Sequence, residues 1–326
     1  MIRRREFITL LGGAAAAWPL AAQAQQPAMP VIGYLSPGSP QGDISLPAFR
    51  KGLSEMGYVD GRNVTVEYRW AQNDFSRLPE LTADLVRRRV AAIAALTVAA
   101  ALAAKAATTT IPVIFDAGGD AVETGLVVSL SRPGGNVTGI NSMTTELGAK
   151  RVELLHDLLP KATKFGFLIN TNIPNIQQAI SRAEAAATAV GCSLRVVAAT
   201  TIREIDAIFA SLAQERIDGL VVAPGVLFSN RRVQLTTLAV RYAFPTVFAE
   251  RAFAEIGGLM SYSPNTIELY REFGIYVGRV LKGEMPSELP VTQATKFELV
   301  INLQAARTIG IDVPASLLAR ADEVIE

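Results

Sequence analysis

Cysteine and histidine are almost missing from this chain: among 326 residues there is one of each, Cys192 and His156. A lone cysteine excludes an intramolecular disulfide framework, and one cysteine with one histidine cannot supply a Cys/His zinc cluster. Any Cys–His or Ser–His nucleophilic pair would have to use His156. An excess of charge of one sign is missing too. The chain has 31 Lys and Arg against 30 Asp and Glu, a formal net charge of +1, which gives no basic footprint for nucleic acid. Phosphate and nucleophile motifs are also absent. The first strand-to-helix loop reads Ser36-Pro37-Gly38-Ser39-Pro40-Gln41-Gly42 in place of G-x-G-x-x-G, which disfavours a dinucleotide site. There is no G-x-x-x-x-G-K-[ST] loop and no G-x-S-x-G elbow. No metal and no cofactor are expected.

What is present begins with an address. Arg3-Arg4-Arg5 leads into an apolar stretch from Phe7 to Ala22, which closes on Ala22-Gln23-Ala24. A charged start, a short apolar run and small residues at the cut make a secretory signal peptide, 1–24, cleaved after Ala24. Arg4-Arg5-Glu6-Phe7-Ile8 also resembles the twin-arginine export motif, so both export routes stay open. The run is shorter than the roughly 20 residues of a membrane span and is broken by Pro19, so no membrane insertion is expected after cleavage. Removing 1–24 takes away three Arg and one Glu and leaves 28 basic and 29 acidic residues, net −1. A periplasmic location follows. The second apolar run, Val90 to Ala104, is broken by Thr97 and too short to span.

Half of the residues are apolar, enough to bury sizeable cores, and at about 150 residues per domain the length favours two domains. Short apolar strands alternate with helical periodicity. Strands are expected at Val31–Leu35, Val64–Tyr68, Val90–Leu96 and Ile111–Phe115, with helices between them. After a Gly-rich loop, strand Val137–Ile140 opens a second series. Helix Thr145–Leu159, strand Phe165–Ile169, helix Ile176–Val190, strand Leu194–Ala198, helix Ile202–Gln214 and strand Gly219–Val222 follow. Helix Asn230–Tyr242, strands Pro245–Phe248 and Leu259–Tyr262, and a long helix around Ile267–Leu281 complete it. Such alternation implies an α/β fold with two doubly wound parallel-sheet lobes. The expected organisation is a first lobe at 25–139, a second lobe at 140–260, a return with a first-lobe helix at 261–290, and a C-terminal segment at 291–326 of open lobe assignment.

Ligands of open α/β sheets sit beyond the carboxyl ends of the strands. The loops there carry small hydroxyls, amides and a few aromatics: Ser36, Ser39, Thr97, Asn170, Thr171, Asn172, Asn175, Phe228, Ser229 and Tyr262, with the amides of Gly118 and Gly119. These groups bind polar solutes rather than make or break bonds. Ser36, Ser39, Thr97 and the glycine amides would hold an anionic end. Asp120, Asn172 and Asn175 would take an amine or other donors, and Phe228 and Tyr262 would cover the apolar part. Asp116 and Asp120 share a strand end and could also act as an acid/base pair, although such carboxylates more often cap a helix or bind an ammonium group. His156, beside Asp157 among leucines, reads as a solvated helix residue, and Cys192 as a small buried hydrophobe. Arg87-Arg88-Arg89 reads as a solvated helix end.

Several segments resemble one family. They are Ile32-Gly33-Tyr34-Leu35-Ser36-Pro37-Gly38-Ser39, Phe49-Arg50-Lys51-Gly52-Leu53, Gly57-Tyr58-Val59-Asp60-Gly61-Arg62-Asn63 and Leu102-Ala103-Ala104-Lys105-Ala106-Ala107, with three more farther on. The latter are Arg132-Pro133-Gly134-Gly135-Asn136-Val137-Thr138-Gly139, the stretch Thr295 to Leu303, and Ala319-Arg320-Ala321-Asp322-Glu323-Val324-Ile325. Together they are similar to the ABC-transporter substrate-binding proteins, in the group with the tryptophan/tyrosine-binding TrpX-like proteins, over about 30–326. The resemblance implies a periplasmic binding protein, type I-like, with three hinge strands joining its lobes. It also implies a small-molecule solute, possible amino-acid ligands, and a membrane ABC permease with its ATPase subunits as partners; a monomer is expected. One stretch departs from the pattern: where members often carry Gly-Thr-Pro, this chain has Ala95-Leu96-Thr97-Val98-Ala99, which keeps only the hydroxyl. The expected function is a solute receptor and not an enzyme. Its rivals are a secreted enzyme using Asp116 and Asp120 and a ligand-sensing subunit for a membrane signalling protein. A sugar-sensing repressor is disfavoured, since a signal peptide stands where the helix-turn-helix would be.

Overall fold

The computed structural model describes residues 29–326 apart from Asn175, so the expected signal peptide lies outside the described residues. In chain order the first part runs β1 (Val31–Ser36), α1 (Leu46–Glu55), β2 (Thr65–Trp70), α2 (Leu78–Arg87), β3 (Ala92–Leu96), α3 (Val98–Ala107), β4 (Val113–Ala117) and β5 (Val137–Asn141). The second part runs α4 (Gly148–Leu158), β6 (Lys164–Ile169), α5 (Ile176–Ala189), β7 (Ser193–Ala198), α6 (Ile202–Gln214), β8 (Gly219–Val222), α7 (Val226–Asn230) and α8 (Arg232–Arg241). It continues with β9 (Thr246–Phe248), α9 (Arg251–Glu255) and β10 (Met260–Pro264). Then follow α10 (Thr266–Leu281), β11 (Thr292–Gln293), β12 (Phe297–Asn302), α11 (Leu303–Ile309), α12 (Ala315–Leu318) and β13 (Glu323–Ile325).

These strands form two sheets, six-stranded in the order β11-β5-β4-β3-β1-β2 and seven-stranded in the order β13-β12-β10-β9-β8-β6-β7. All pairings are parallel except β10 with β12, which is antiparallel. The two doubly wound α/β lobes expected from the alternation are therefore present. Strands β3 and β4 are buried along their whole length, as continuous apolar runs must be when helices cover both faces of a parallel sheet. On the first sheet, Leu78 and Leu85 of α2 and Ala100, Ala101 and Ala104 of α3 cover one face. Phe49 and Leu53 of α1 cover the other, with Phe273, Tyr276 and Val277 of α10. The second sheet is likewise enclosed, by α4 and α5 on one face and by α6, α8 and α9 on the other.

Helix α10 follows the second-lobe strands β6–β10 in sequence yet packs in the first lobe, because Gly52 of α1 and Gly274 of α10 let the two backbones touch. A Cβ on Gly52 would collide with the Arg271 carbonyl, and one on Gly274 with the Phe49 carbonyl. The chain passes between lobes three times: at 142–147, at Asn265 between β10 and α10, and at 294–296 between β11 and β12. The C-terminal strands β12 and β13 belong to the second sheet, while the short β11 belongs to the first. Two local differences from the sequence expectation have simple causes. Residues 145–147 are part of the first crossing, so α4 starts at Gly148; and the helix expected from Asn230 starts at Arg232, because Arg231 separates it from the short helix α7 before it.

Candidate functional site

A cavity of about 200 Å³ lies between the lobes, walled by strand-end loops of both sheets and by the crossings. On the first-lobe side Ser36 ends β1, and its Oγ accepts from the Gly38 N–H at 3.1 Å, folding the loop into a tight turn. Thr97 ends β3. Its φ of 98° and ψ of 155° belong to a region that glycine occupies readily and other residues rarely. Two bonds hold it there: the Thr97 amide donates to the Asp116 carbonyl at 3.1 Å, and Oγ1 accepts from the Ala100 N–H at 3.4 Å as the cap of α3. The first turn of α3 therefore opens on the cavity, with Thr97, Val98 and Ala99 in its wall. Gly118 brings the next loop against the first crossing, since a Cβ there would lie 2.7 Å from Thr144 Oγ1 and 2.9 Å from Thr145 Oγ1.

Two carboxylates line the cavity with one oxygen each left over. Asp116 is 8% exposed. The Tyr270 hydroxyl donates to its Oδ2 at 3.1 Å, and its Oδ1 is buried without a hydrogen-bond partner among the described residues. Burial pushes the Asp116 pKa up, with the nearby Ser142 and Tyr270 hydroxyls opposing the shift. From the second lobe, Glu250 follows β9. The Ser229 hydroxyl donates to its Oε1, and its Oε2 is buried without a partner among the described residues. Burial raises this pKa too, with Ser229, Arg232 and Arg151 opposing. The Ser263 hydroxyl, on β10, also lines the cavity and is unpartnered. Asp43, the third lining acid, is fully engaged by the hydroxyls of Tyr34 and Ser45 and more loosely by the Trp70 indole.

Arg151, 0% exposed, stands behind this site at the crossings. Its Nε donates to the Tyr262 carbonyl and its Nη1 to the Thr144 carbonyl, both at 3.0 Å, so one guanidinium ties β10 to the first crossing. Burial pushes its pKa down to about 9, with Glu250 opposing the shift.

Of the residues singled out from sequence, Ser36, Ser39, Thr97, Gly118 and Gly119 meet in the cavity wall, joined by Asp116. Asp120, Asn172, Phe228 and Tyr262 lie outside that wall. Asp120 Oδ1 accepts from the N–H groups of Val122 and Glu123 at 2.7 and 3.1 Å, so the side chain caps its own loop. The Asn172 amide donates to Asn170 Oδ1 at 2.8 Å, and it is Asn170 that lines the cavity. Phe228 is 1% exposed, in the second-lobe core with Leu235 and Phe253. Tyr262 points the opposite way from Ser261 and Ser263 by strand alternation, and its ring packs near Phe297 with 6.1 Å between centroids. Asn175 lies outside the described residues. Glu250, Ser263 and Tyr270 were missed; the only signal for Glu250 was its place just after a strand, and although a first-lobe helix was expected within 261–290, nothing in the sequence set Tyr270 against Asp116.

The single cysteine and histidine do come together, with Cys192 Sγ 3.7 Å from His156 Nδ1. Burial pushes the thiol pKa up, Sγ donates to the Ala162 carbonyl at 3.2 Å, and neither residue lines the cavity. Thiolate chemistry has no support there. Among the described residues there is no acidic or Cys/His group that could hold a metal ion, and no helix long and apolar enough to cross a membrane.

The lobes touch across the cavity mouth. Asn230 Nδ2 donates to Asn73 Oδ1 at 3.1 Å, and Gln178 Nε2 donates to Glu123 Oε1 at 3.3 Å. Val226 lies so close to Gly38 that a Cβ there would come within 2.8 Å of Val226 Cγ1.

Comparison with known proteins adds a common theme. Residues 40–325 match the family model described as ABC transporter substrate binding protein. A tyrosine-binding protein of Clostridioides difficile (strain R20291) is 30% identical over 272 residues, covering 83% of this chain and 78% of its own. The ABC domain from Streptococcus pneumonia, solved in complex with L-Trp, is 26% identical and superposes with a TM-score of 0.81 over 91% of this chain and 99% of its own. A ligand-free, open substrate-binding protein with adhesive properties from Clostridium difficile, also 26% identical with the same coverages, gives a TM-score of 0.63.

Proposed function

The chain belongs to the ABC transporter substrate-binding protein family, and from that premise we propose that it is the exported, periplasmic receptor of an ABC importer, binding an amino-acid-like solute between its lobes and carrying it unchanged to a membrane permease driven by ATPase subunits. The observation that carries this proposal is the inter-lobe cavity itself, with buried unpartnered polar atoms contributed by both sheets. A group that must be desolvated without a partner costs free energy until a ligand supplies one. The names of the relatives, one tyrosine-binding and one solved with L-Trp, support an amino-acid-like solute.

In this reading the anionic end of the solute rests against Ser36, Ser39, Thr97, the first turn of α3 and the amides of Gly118 and Gly119. The N–H groups of a helix start and its dipole favour negative charge there. Solute touching both lobes favours the closed arrangement and is the source of the hinge motion. The contacts Asn73–Asn230 and Glu123–Gln178 support a closed form, as does the better superposition on the L-Trp complex than on the open relative. Catalysis by Asp116 and Asp120 finds no support in their placement, since Asp120 caps its own loop and does not line the cavity. The receptor acts as a monomer.

Small-angle scattering during titration with L-tyrosine or L-tryptophan tests this. The expected result is a fall in radius of gyration that saturates with the solute, which is then recovered unaltered. Conversion of the solute to a product would overturn the proposal in favour of an enzyme.

A further inference from the structure

Among the described residues, the unpartnered side-chain atoms of the cavity wall can all accept a hydrogen bond, while Arg151 Nη2, behind the wall, is an unpartnered donor. Asp116 Oδ1 and Glu250 Oε2 are carboxylate oxygens, and Ser263 Oγ, on a residue 1% exposed, has two lone pairs to offer. Asp116 is itself more than nine-tenths buried and lines the cavity. Asp116 comes from the first lobe, Glu250 and Ser263 from the second, so both lobes bring acceptor-bearing side chains to the wall. No lysine or arginine is in the described wall. Arg151 and Arg232 temper the Glu250 charge from behind, yet neither reaches the cavity. A carboxylate on the solute thus meets only hydroxyls and backbone N–H groups, while a cation meets formal negative charge. Charge-assisted hydrogen bonds are about twice as strong as neutral ones.

We propose that the obligatory group on the solute is a protonated amine, which donates to Asp116, while Glu250 and Ser263 accept from a second donor on the solute and any carboxylate it carries is dispensable. This rests on the receptor reading and sharpens its solute class: amines, with or without a carboxylate, against acids without an amine. It also explains why unpaired acids persist beside the cleft, since the ligand's donors complete them only when the lobes close.

Calorimetric titration of the purified full-length mature protein with tyramine, L-tyrosine and 3-(4-hydroxyphenyl)propionate tests it, because these share a phenol and differ only in amine and carboxylate. Loss of the carboxylate, from tyrosine to tyramine, is expected to weaken binding about 10-fold or less, whereas loss of the amine weakens it about 100-fold or more. Asp116→Asn is expected to abolish this preference for the amine and to raise the melting temperature of the ligand-free protein by about 2–4 °C, since a buried unpaired charge has been removed. Equal or tighter binding of the propionate would overturn the ammonium site and leave the receptor reading standing. So would an Asp116→Asn protein that melts lower while keeping the amine preference. Binding of none of the three, with no small molecule released from the protein by native mass spectrometry, would defeat the receptor reading and the ammonium site with it.

Discussion

At the scale of single residues, Thr97 stores strain in the wall of the inter-lobe cavity. A non-glycine residue at φ 98°, ψ 155° costs on the order of 1–3 kcal/mol, held in place here by the Asp116 carbonyl and the α3 cap. Replacing it by glycine removes the strain and loses only a few tenths of a kcal/mol of capping. Thr97→Gly should therefore raise unfolding stability by about 1 kcal/mol in urea titration while weakening solute binding. Thr97→Ala keeps the strain, loses the cap and should destabilise by about 1 kcal/mol. Asp116 gives a pH signature. Its folded pKa is raised by burial, so the folded protein holds this proton more tightly than the unfolded chain. The stability this group contributes is present below the unfolded carboxylate pKa and is lost as pH rises through the folded one. Glu250, also raised by burial, has the same sign. Melting curves of the ligand-free protein between about pH 7 and about pH 4 should thus show a component that grows on acidification and shrinks in Asp116→Asn. An amine solute should bind more weakly over the same fall in pH, as the carboxylate loses its charge.

At the scale of elements, the helix pair α1–α10 depends on bare backbone contact. Gly52→Ala or Gly274→Ala places a methyl against a carbonyl of the facing helix, and either should cost about 1–3 kcal/mol or more in denaturant titration. This scale also shows what can be read from a sequence. Strands β3 and β4 were legible because residues buried on both faces must be apolar throughout, and the strand-end loops then named Ser36, Ser39, Thr97, Gly118 and Gly119. The direction of a side chain within a loop was not legible. Phe228 looked available to a ligand, but α7 turns it into the core; Tyr262 is carried to the far face by a single step of strand alternation. Tyr270 and Asp116 are 154 residues apart and meet only because α10 returns to the first lobe.

At the scale of the whole molecule, the lobes should open and close about the three crossings, with Arg151 clasping the first of them to β10 through the carbonyls of Thr144 and Tyr262. Val226 of the second lobe lies against Gly38 of the first. Gly38→Val should obstruct that approach and weaken solute binding about 10-fold or more, while each lobe keeps its own core; titration calorimetry beside thermal melting separates the two effects. The most direct measurement on the central claim is native mass spectrometry of the protein as purified from its producing cells. One small molecule per chain should be released intact, and it should contain a basic nitrogen. A protein that carries no solute and takes up none from a panel of amino acids and amines would contradict the account.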